Sequence, residues 1–418
     1  METVAGIDFG TSNSAVSYKD SADVEIVRME QGTGAIPTAM FFNGDSREVL
    51  FGSPAVDAFL KRNDGRFMRS IKSILGTNLM SGSTNINGIS MDFQEIISRF
   101  ISHLKQGLEN DVGKPVNSVV IGRPVKFNET DAGLDRAAED MLFSIAKSIG
   151  FKDVEFQFEP VAAAFSHERN IKGEQLAIVM DIGGGTSDFT VIRIGDALKN
   201  KTDRSDDILA NSGVKVGGNT FDKYLSFNAF MPLLGKNSTL GSRHLSMPAH
   251  IYFELSDWSG INFMYNTKNE RSAREIYYES NDKILTGRLV ELVLERRGHE
   301  LLRIVERAKI DMTYNDKITT TLSALSDAPM LDIMRSEFDE YSENIYDKIQ
   351  KSLDECLAQS GVRREDIGLV ILAGGSTGII KIRDMSRANF PKAKLADGNK
   401  FLSVAEGLAH DAWRRFRH

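Results

Sequence analysis

Several features that mark whole classes of protein are scarce in this chain. Among 418 residues there is a single cysteine, Cys356, so no disulfide framework can form within it. That thiol falls in a helical pattern and reads as packed or surface rather than nucleophilic. No apolar run approaches the roughly 18 residues of a membrane span. The opening METVAGIDFG enters a strand without a basic and apolar leader, so the expectation is a cytoplasmic chain with no secretory signal. A basic surplus is missing as well. Lys and Arg number 51 against 58 Asp and Glu, a net charge of −7, which argues against nucleic acid or an anionic membrane as partner. The balance is globular, 41% hydrophobic and 26% charged, and long enough for two domains with substantial cores.

What is present is glycine, 35 residues of it, and its placement organises the chain. Residues 179–192 read VMDIGGGTSDFTVI: an apolar strand, Asp181, the glycines Gly183, Gly184 and Gly185, then Thr186, Ser187, Asp188 and a second strand. The spacing predicts a β-hairpin around a glycine turn. Backbone N–H groups in such a turn can close on an anion, an approach a Cβ would block. Thr186 adds a hydroxyl, and Asp181 and Asp188 are carboxylates suited to a hydrated divalent cation. Taken alone, the string is equally an ordinary tight hairpin with solvated acids. Residues 5–16, AGIDFGTSNSAV, have the same grammar, with Asp8 in the place of Asp181 and Gly10, Thr11 and Ser12 in the place of the turn. Two such hairpins, each near the start of a half-chain, point to a duplicated domain with a phosphate clamp between the copies.

Along the rest of the chain, the pattern predicts a third strand over 24–29, an apolar strand over 39–42 and a helix opening at Pro54. Lys72 lies in a basic segment closed by Gly76, where a solvated lysine would be unremarkable. A polar loop is expected over 82–88, then a helix over 93–108, a strand over 116–121, a helix over 134–149 and a strand over 154–158. EPVAAAF starts a closely packed helix with Glu159 just outside it. Gly217 and Gly218 form a second glycine turn before a helix. Residues 235–285, which hold Trp258, read as an irregular insertion in a smaller subdomain. One long helix is expected over 289–312, a threonine-rich strand over 317–322 and an amphipathic helix, packed in the core, over 331–357. A buried strand over 367–372 leads to a third glycine turn with Gly374, Gly375, Ser376 and Gly378, whose following helix offers further N–H groups to an anion. The last helix, 404–413, ends in arginines that favour its C-terminal dipole.

Seven strings occur in order: GIDFGTSNSAV (6–16), GRPVKFNET (122–130), EPVAAAF (159–165), MDIGGGTSDFTVI (180–192), VGGNTFD (216–222), ERAK (306–309) and ILAGGSTGI (371–379). Together they resemble the nucleotide-binding domain of the DnaK-type heat-shock chaperones, within the actin-like ATPase superfamily, and are most similar to its YegD-type members. The resemblance implies an α/β chain of two duplicated ribonuclease-H-like lobes around a nucleotide cleft. These would be 1–178, with an inserted subdomain at about 36–111, and 179–418, with one at about 223–305. ATP or ADP and Mg²⁺ are the implied cofactors. By position, Asp8 and Asp181 would orient the metal through its waters. Thr11, Ser12 and Asn13 would meet the phosphates from one lobe and Gly183 to Thr186 from the other. Lys72 matches the catalytic lysine, and Glu159 and Asp188 the acids that position water. Glu306 and Lys309 match the ribose-holding pair, and Gly374, Gly375 and Ser376 the loop under the adenosine.

The resemblance also has departures. Two arginines that flank the adenine in the family are Ile310 and Gly378 here, an acid near the last helix is Phe401, and a lobe-coupling arginine is Ala132, although Pro124 is kept. The chain stops where a linker and peptide-binding domain would begin. The leading expectation is a slow magnesium-dependent ATPase, a chaperone-like nucleotide switch without a peptide-binding domain, read by a protein partner or co-chaperone. The alternatives are an ATP-sensing module with little turnover, a small-molecule kinase and a filament-forming actin relative.

Overall fold

Both glycine hairpins form, and each occupies the same place in its own sheet. In the first sheet β1 (Val4–Phe9) pairs antiparallel with β2 (Asn13–Lys19) and parallel with β3 (Ser118–Arg123), which continues in parallel to β4 (Asp153–Phe158). In the second, β5 (Glu174–Ile182) pairs antiparallel with β6 (Ser187–Gly195), which continues antiparallel to β7 (Ile208–Val214). On its other side β5 runs parallel to β8 (Leu369–Ala373), and β8 to β9 (Lys394–Asp397). The short strand Glu25–Ile26 completes the correspondence, pairing antiparallel with β2 as β7 does with β6. The duplicated grammar of the two strings is thus a duplicated topology. These features come from a computed structural model that describes residues 3–20, 23–30, 32–168, 171–199, 201, 203–397 and 402–416.

The chain divides into two units. Met1–Gly217, Lys348–Gly378 and Ile382–His418 make the first, which contains both sheets; Gly218–Asp347 with Ile379–Lys381 make the second. In the first unit the central strands read as near-continuous apolar runs because both faces are covered. Val4, Val120, Val179, Ile192 and Ile371 from the two sheets share one core with Val161 to Phe165 of the helix Glu159–Glu168 and Leu408 and Ala412 of the helix Ser403–Phe416. Those two helices touch at backbone distance. A Cβ on Gly407 would sit 1.7 Å from the Ala162 carbonyl oxygen, so only glycine allows the approach. The alanine run of EPVAAAF and this glycine are therefore two halves of one packing solution.

Several expectations change. The strand expected over 24–29 shrinks to Glu25–Ile26. The polar loop over 82–88 is a hairpin, Ser83–Ile86 with Ile89–Asp92, turned by Asn87 and Gly88, both at positive φ, the pairing such turns favour. The helix expected over 289–312 is two, Lys283–Leu294 and Gly298–Met312, because Arg296 takes a left-handed φ of 56°. Residues 331–357 divide into a strand, Met330–Met334, paired with Lys317–Thr321, and two helices, Arg335–Tyr341 and Glu343–Ser360, broken at Ser342. Pairing with the threonine strand overrides the helical spacing of Leu331 and Met334. The region 235–285 is not irregular but largely helical, with Ala249–Leu255 and Thr267–Glu279, and it buries Trp258. Glu159 heads its helix rather than lying outside it. Phe401 lies outside the described residues. Cys356 is buried in the helix Glu343–Ser360, its Sγ 3.6 Å from the Phe189 carbonyl, and burial pushes its thiol up to about 11, so it packs and does not react. Among the described residues no helix is long and apolar enough to cross a membrane.

Candidate functional site

The two glycine turns meet. A Cβ on Gly184 would lie 2.2 Å from Ser12 Oγ, and one on Gly185 would lie 2.6 Å from Thr11 Oγ1. The first turn is held by Thr38, whose Oγ1 donates to the Gly10 carbonyl at 2.8 Å and whose N–H donates to the Ser12 carbonyl at 2.9 Å. The second is closed by the Gly183 N–H donating to the Thr186 carbonyl at 3.0 Å. The other glycine turns buttress it. Ser376 Oγ donates to the Gly183 carbonyl at 2.9 Å, and a Cβ on Gly217 would be 2.8 Å from that same oxygen. Gly374, at φ +77°, passes so close that a Cβ would be 2.7 Å from Asp181 Oδ1. Gly375 and Gly378 bound the short helical turn that carries Ser376.

Beneath the turns lies a buried set of charges. Register places Asp181 directly opposite Asp188 at the hairpin mouth. Lys72 Nζ, brought in by a tight turn over Ile71–Ile74, pairs with Glu159 Oε1 at 2.5 Å, both residues being under 10% exposed. Burial, with the Glu159 charge, pushes the Asp8 carboxyl up to about 7 against the pull of Lys72. Burial foremost, then the charges of Glu159, Asp188 and Asp8, hold Asp181 well above the usual carboxylate range. Burial also pushes Asp188 up to about 7, although the Thr186 hydroxyl and the Val125 N–H, at 2.8 Å, both bond to it. Burial alone would lower the Lys72 ammonium, but Glu159 and the aspartates outweigh it and hold it above the ordinary lysine value. Four acids thus face one lysine in a dry place, an arrangement that favours either protons or an added cation.

The residues fit a magnesium ion held through water. Among the described residues no group of three or more His, Cys, Asp or Glu is arranged to hold a metal directly. The uncompensated negative charge of Asp8, Asp181 and Asp188 is nonetheless what a hydrated divalent cation neutralises. Asp8 and Asp181, the mirrored pair, would hold it.

All these residues belong to the first unit. Gly218, Glu306, Lys309 and Ile310 belong to the second. There Glu306, Lys309 and Ile310 lie on the helix Gly298–Met312, and Lys309 Nζ pairs with Asp222 Oδ1 at 2.7 Å. Ile310 is exposed. Sequence reasoning missed Thr38 and Val125, which fix the turn and Asp188 through the backbone and so leave no side-chain signature. It also missed Asp222 as a partner of Lys309, although that residue ends the string VGGNTFD.

Comparison with known proteins follows the same outline. The family profile described as Hsp70 protein matches residues 4–241 and 291–412. Chaperone protein DnaK of Thermosipho melanesiensis is 26% identical over 423 residues, covering 98% of this chain and 59% of the relative. The Thermosipho africanus chaperone protein DnaK matches to the same extent, and that of Mycoplasmopsis pulmonis is 26% identical over 391 residues, 92% of this chain and 54% of the relative. The chain therefore spans a little over half the length of the curated relatives it matches. The matched segments include both hairpins, the two sheets they head and the ERAK helix, and the unmatched gap falls in the helical insertion around Trp258. On this two-sheet, actin-like ATPase frame, the chain belongs to the Hsp70 family.

Proposed function

We propose that the chain binds ATP or ADP with magnesium at the paired glycine turns and hydrolyses ATP slowly, as a chaperone-like nucleotide switch. One observation carries this reading: Thr11 and Ser12 abut Gly185 and Gly184 over a buried group of four acids and one lysine. The N–H groups and hydroxyls of residues 10–13 and 183–186 bind phosphate oxygens, which a bare glycine backbone lets approach closely. Asp8 and Asp181 would hold a magnesium ion through its waters, and the ion would supply neutralising charge to the phosphate oxygens. Lys72 keeps a fixed positive charge beside the transferred phosphoryl group, and Glu159 holds its amine in place. Asp188, anchored by Val125 and poised near neutrality, orients the attacking water and takes its proton. The family resemblance implies that Glu306 and Lys309, of the second unit, hold the ribose, and that Gly217, Gly218 and the loop of Gly374, Gly375, Ser376 and Gly378 contact the nucleotide. Ile310 stands where the family has an arginine over the base, so adenine is held less firmly. The name chaperone protein DnaK borne by the relatives supports a switch read by a protein partner or co-chaperone.

Single-turnover hydrolysis of labelled ATP tests the reading. Magnesium-dependent release of phosphate is expected. Binding without any hydrolysis over hours would instead make the chain an ATP sensor.

A further inference from the structure

We propose that Trp258 is a positioning residue for the ribose end of the nucleotide, acting through Asp222 on Lys309; the inference rests on the nucleotide reading above. Trp258 lies in the stretch between the segments matched by the family profile. That stretch grips the helix Gly218–Leu225 at two successive residues. Asp257 Oδ2 pairs with Lys223 Nζ at 2.7 Å, and Trp258 Nε1 donates to Asp222 Oδ2 at 3.0 Å. Asp257 is itself fixed by the N–H groups of Ser259 and Gly260, at 2.8 and 3.1 Å. The indole is fully buried, and so is the Asp222 side chain.

A carboxylate so deep needs its charge shared. Asp222 divides it: Oδ2 takes the indole N–H, and Oδ1 lies 2.7 Å from Lys309 Nζ in a charge contact off the hydrogen-bond direction. Lys309 also donates to the Gly218 carbonyl at 3.1 Å, at the head of the same helix. Its ammonium has three N–H groups, so with Trp258 in place it keeps at least one for a ribose hydroxyl. Without the indole N–H, Asp222 Oδ2 loses this donor in a buried place. Lys309 is flexible and already in contact, so it turns further onto the carboxylate and away from the sugar. Glu306, whose charge bears on Asp222, shares the lysine's helix.

The test compares ADP, 2′,3′-dideoxy-ADP and inorganic pyrophosphate as ligands of the full chain by calorimetric titration. Wild type should prefer ADP over the dideoxy form by about tenfold, the scale of one charge-assisted hydrogen bond. In Trp258→Phe that preference should fall to about two- to threefold while pyrophosphate affinity stays unchanged, a split that general destabilisation would not produce. Full ribose preference in Trp258→Phe overturns the inference and leaves the nucleotide reading intact. Binding of neither ADP nor pyrophosphate by wild type overturns both. Should Trp258→Phe fail to fold, Trp413→Phe leaves Trp258 as the sole tryptophan of the two. Its emission should then shift on ADP and less on the dideoxy form, and an identical response to both ligands overturns the proposal.

Discussion

Replacing Lys72 by methionine separates what the buried lysine does for stability from what it does for chemistry. Methionine keeps most of the volume and removes the charge. Glu159, 2.5 Å from the ammonium in wild type, is then left among Asp8, Asp181 and Asp188 with no cation. Breaking a buried pair from one side costs on the order of 3–5 kcal/mol, a large part of the stability of an ordinary domain. The cost should shrink toward acid pH, because Asp8 and Asp188 then carry protons and the stranded carboxylate has fewer charged neighbours. Adding Glu159→Gln removes the stranded charge, so the double variant should regain stability to within about 1–2 kcal/mol of wild type. Its hydrolysis should stay as low as that of Lys72→Met, since the positive charge at the phosphoryl group is still absent. Urea unfolding of the nucleotide-free proteins at pH 5.5 and 8, beside single-turnover hydrolysis, reads both effects. If Lys72→Met is as stable as wild type at pH 8, the pair does not hold the acid group together and the reasoning fails.

Three further outcomes follow from the same geometry. Asp181→Asn should lower magnesium-dependent hydrolysis about tenfold or more; unchanged turnover at saturating magnesium would remove Asp181 from the site. Gly184→Val places a branched side chain where a Cβ alone would be 2.2 Å from Ser12 Oγ. The turns must then part, weakening ATP binding by about ten- to a hundredfold with about 1–3 kcal/mol lost in stability, and Ser12→Gly should recover part of both; wild-type affinity in Gly184→Val would show that the turns need not meet. Asp8 and Asp188 hold their protons up to about pH 7 when folded, against about 3.8 otherwise. Between those values the folded protein binds more protons than the unfolded one, so nucleotide-free stability should fall as pH rises from about 4 to 7 and level off above. Asp188→Asn should flatten that slope, and a slope unaltered by it would contradict the assignment.

How much of this was legible in the sequence depends on how local each signal is. The hairpins were, because strand, acid, glycine turn and strand are contiguous, and so was the duplication. The alanine run at Glu159 announced close packing, though not that Gly407 would receive it. Periodicity misled where two templates overlap. Leu331 and Met334 fit a helix, yet pairing with the threonine strand Lys317–Thr321 claims them. Arg296, at a left-handed φ that no composition rule singles out, cuts an otherwise continuous helical pattern. The Asn87–Gly88 pair is itself a hairpin-turn signal, but its polar flanks carry no strand alternation to go with it. In the site, the Lys72–Glu159 pair joins residues 87 apart, and only the family resemblance brought them together. Asp222 and Trp258, 36 apart, meet through an insertion whose longer helix, Thr267–Glu279, buries Ala273 and Ile276 alone among its residues and so shows little of a period.

The central claim, that the meeting turns and the acids beneath them form one phosphate and magnesium site, is tested most directly by titrating ATP into the full chain with and without magnesium. Saturable one-to-one binding that tightens at least about tenfold with magnesium, and loses that gain in Asp8→Asn and in Asp181→Asn alike, is the result expected. No ATP binding, or binding equally tight with and without the metal, would contradict it.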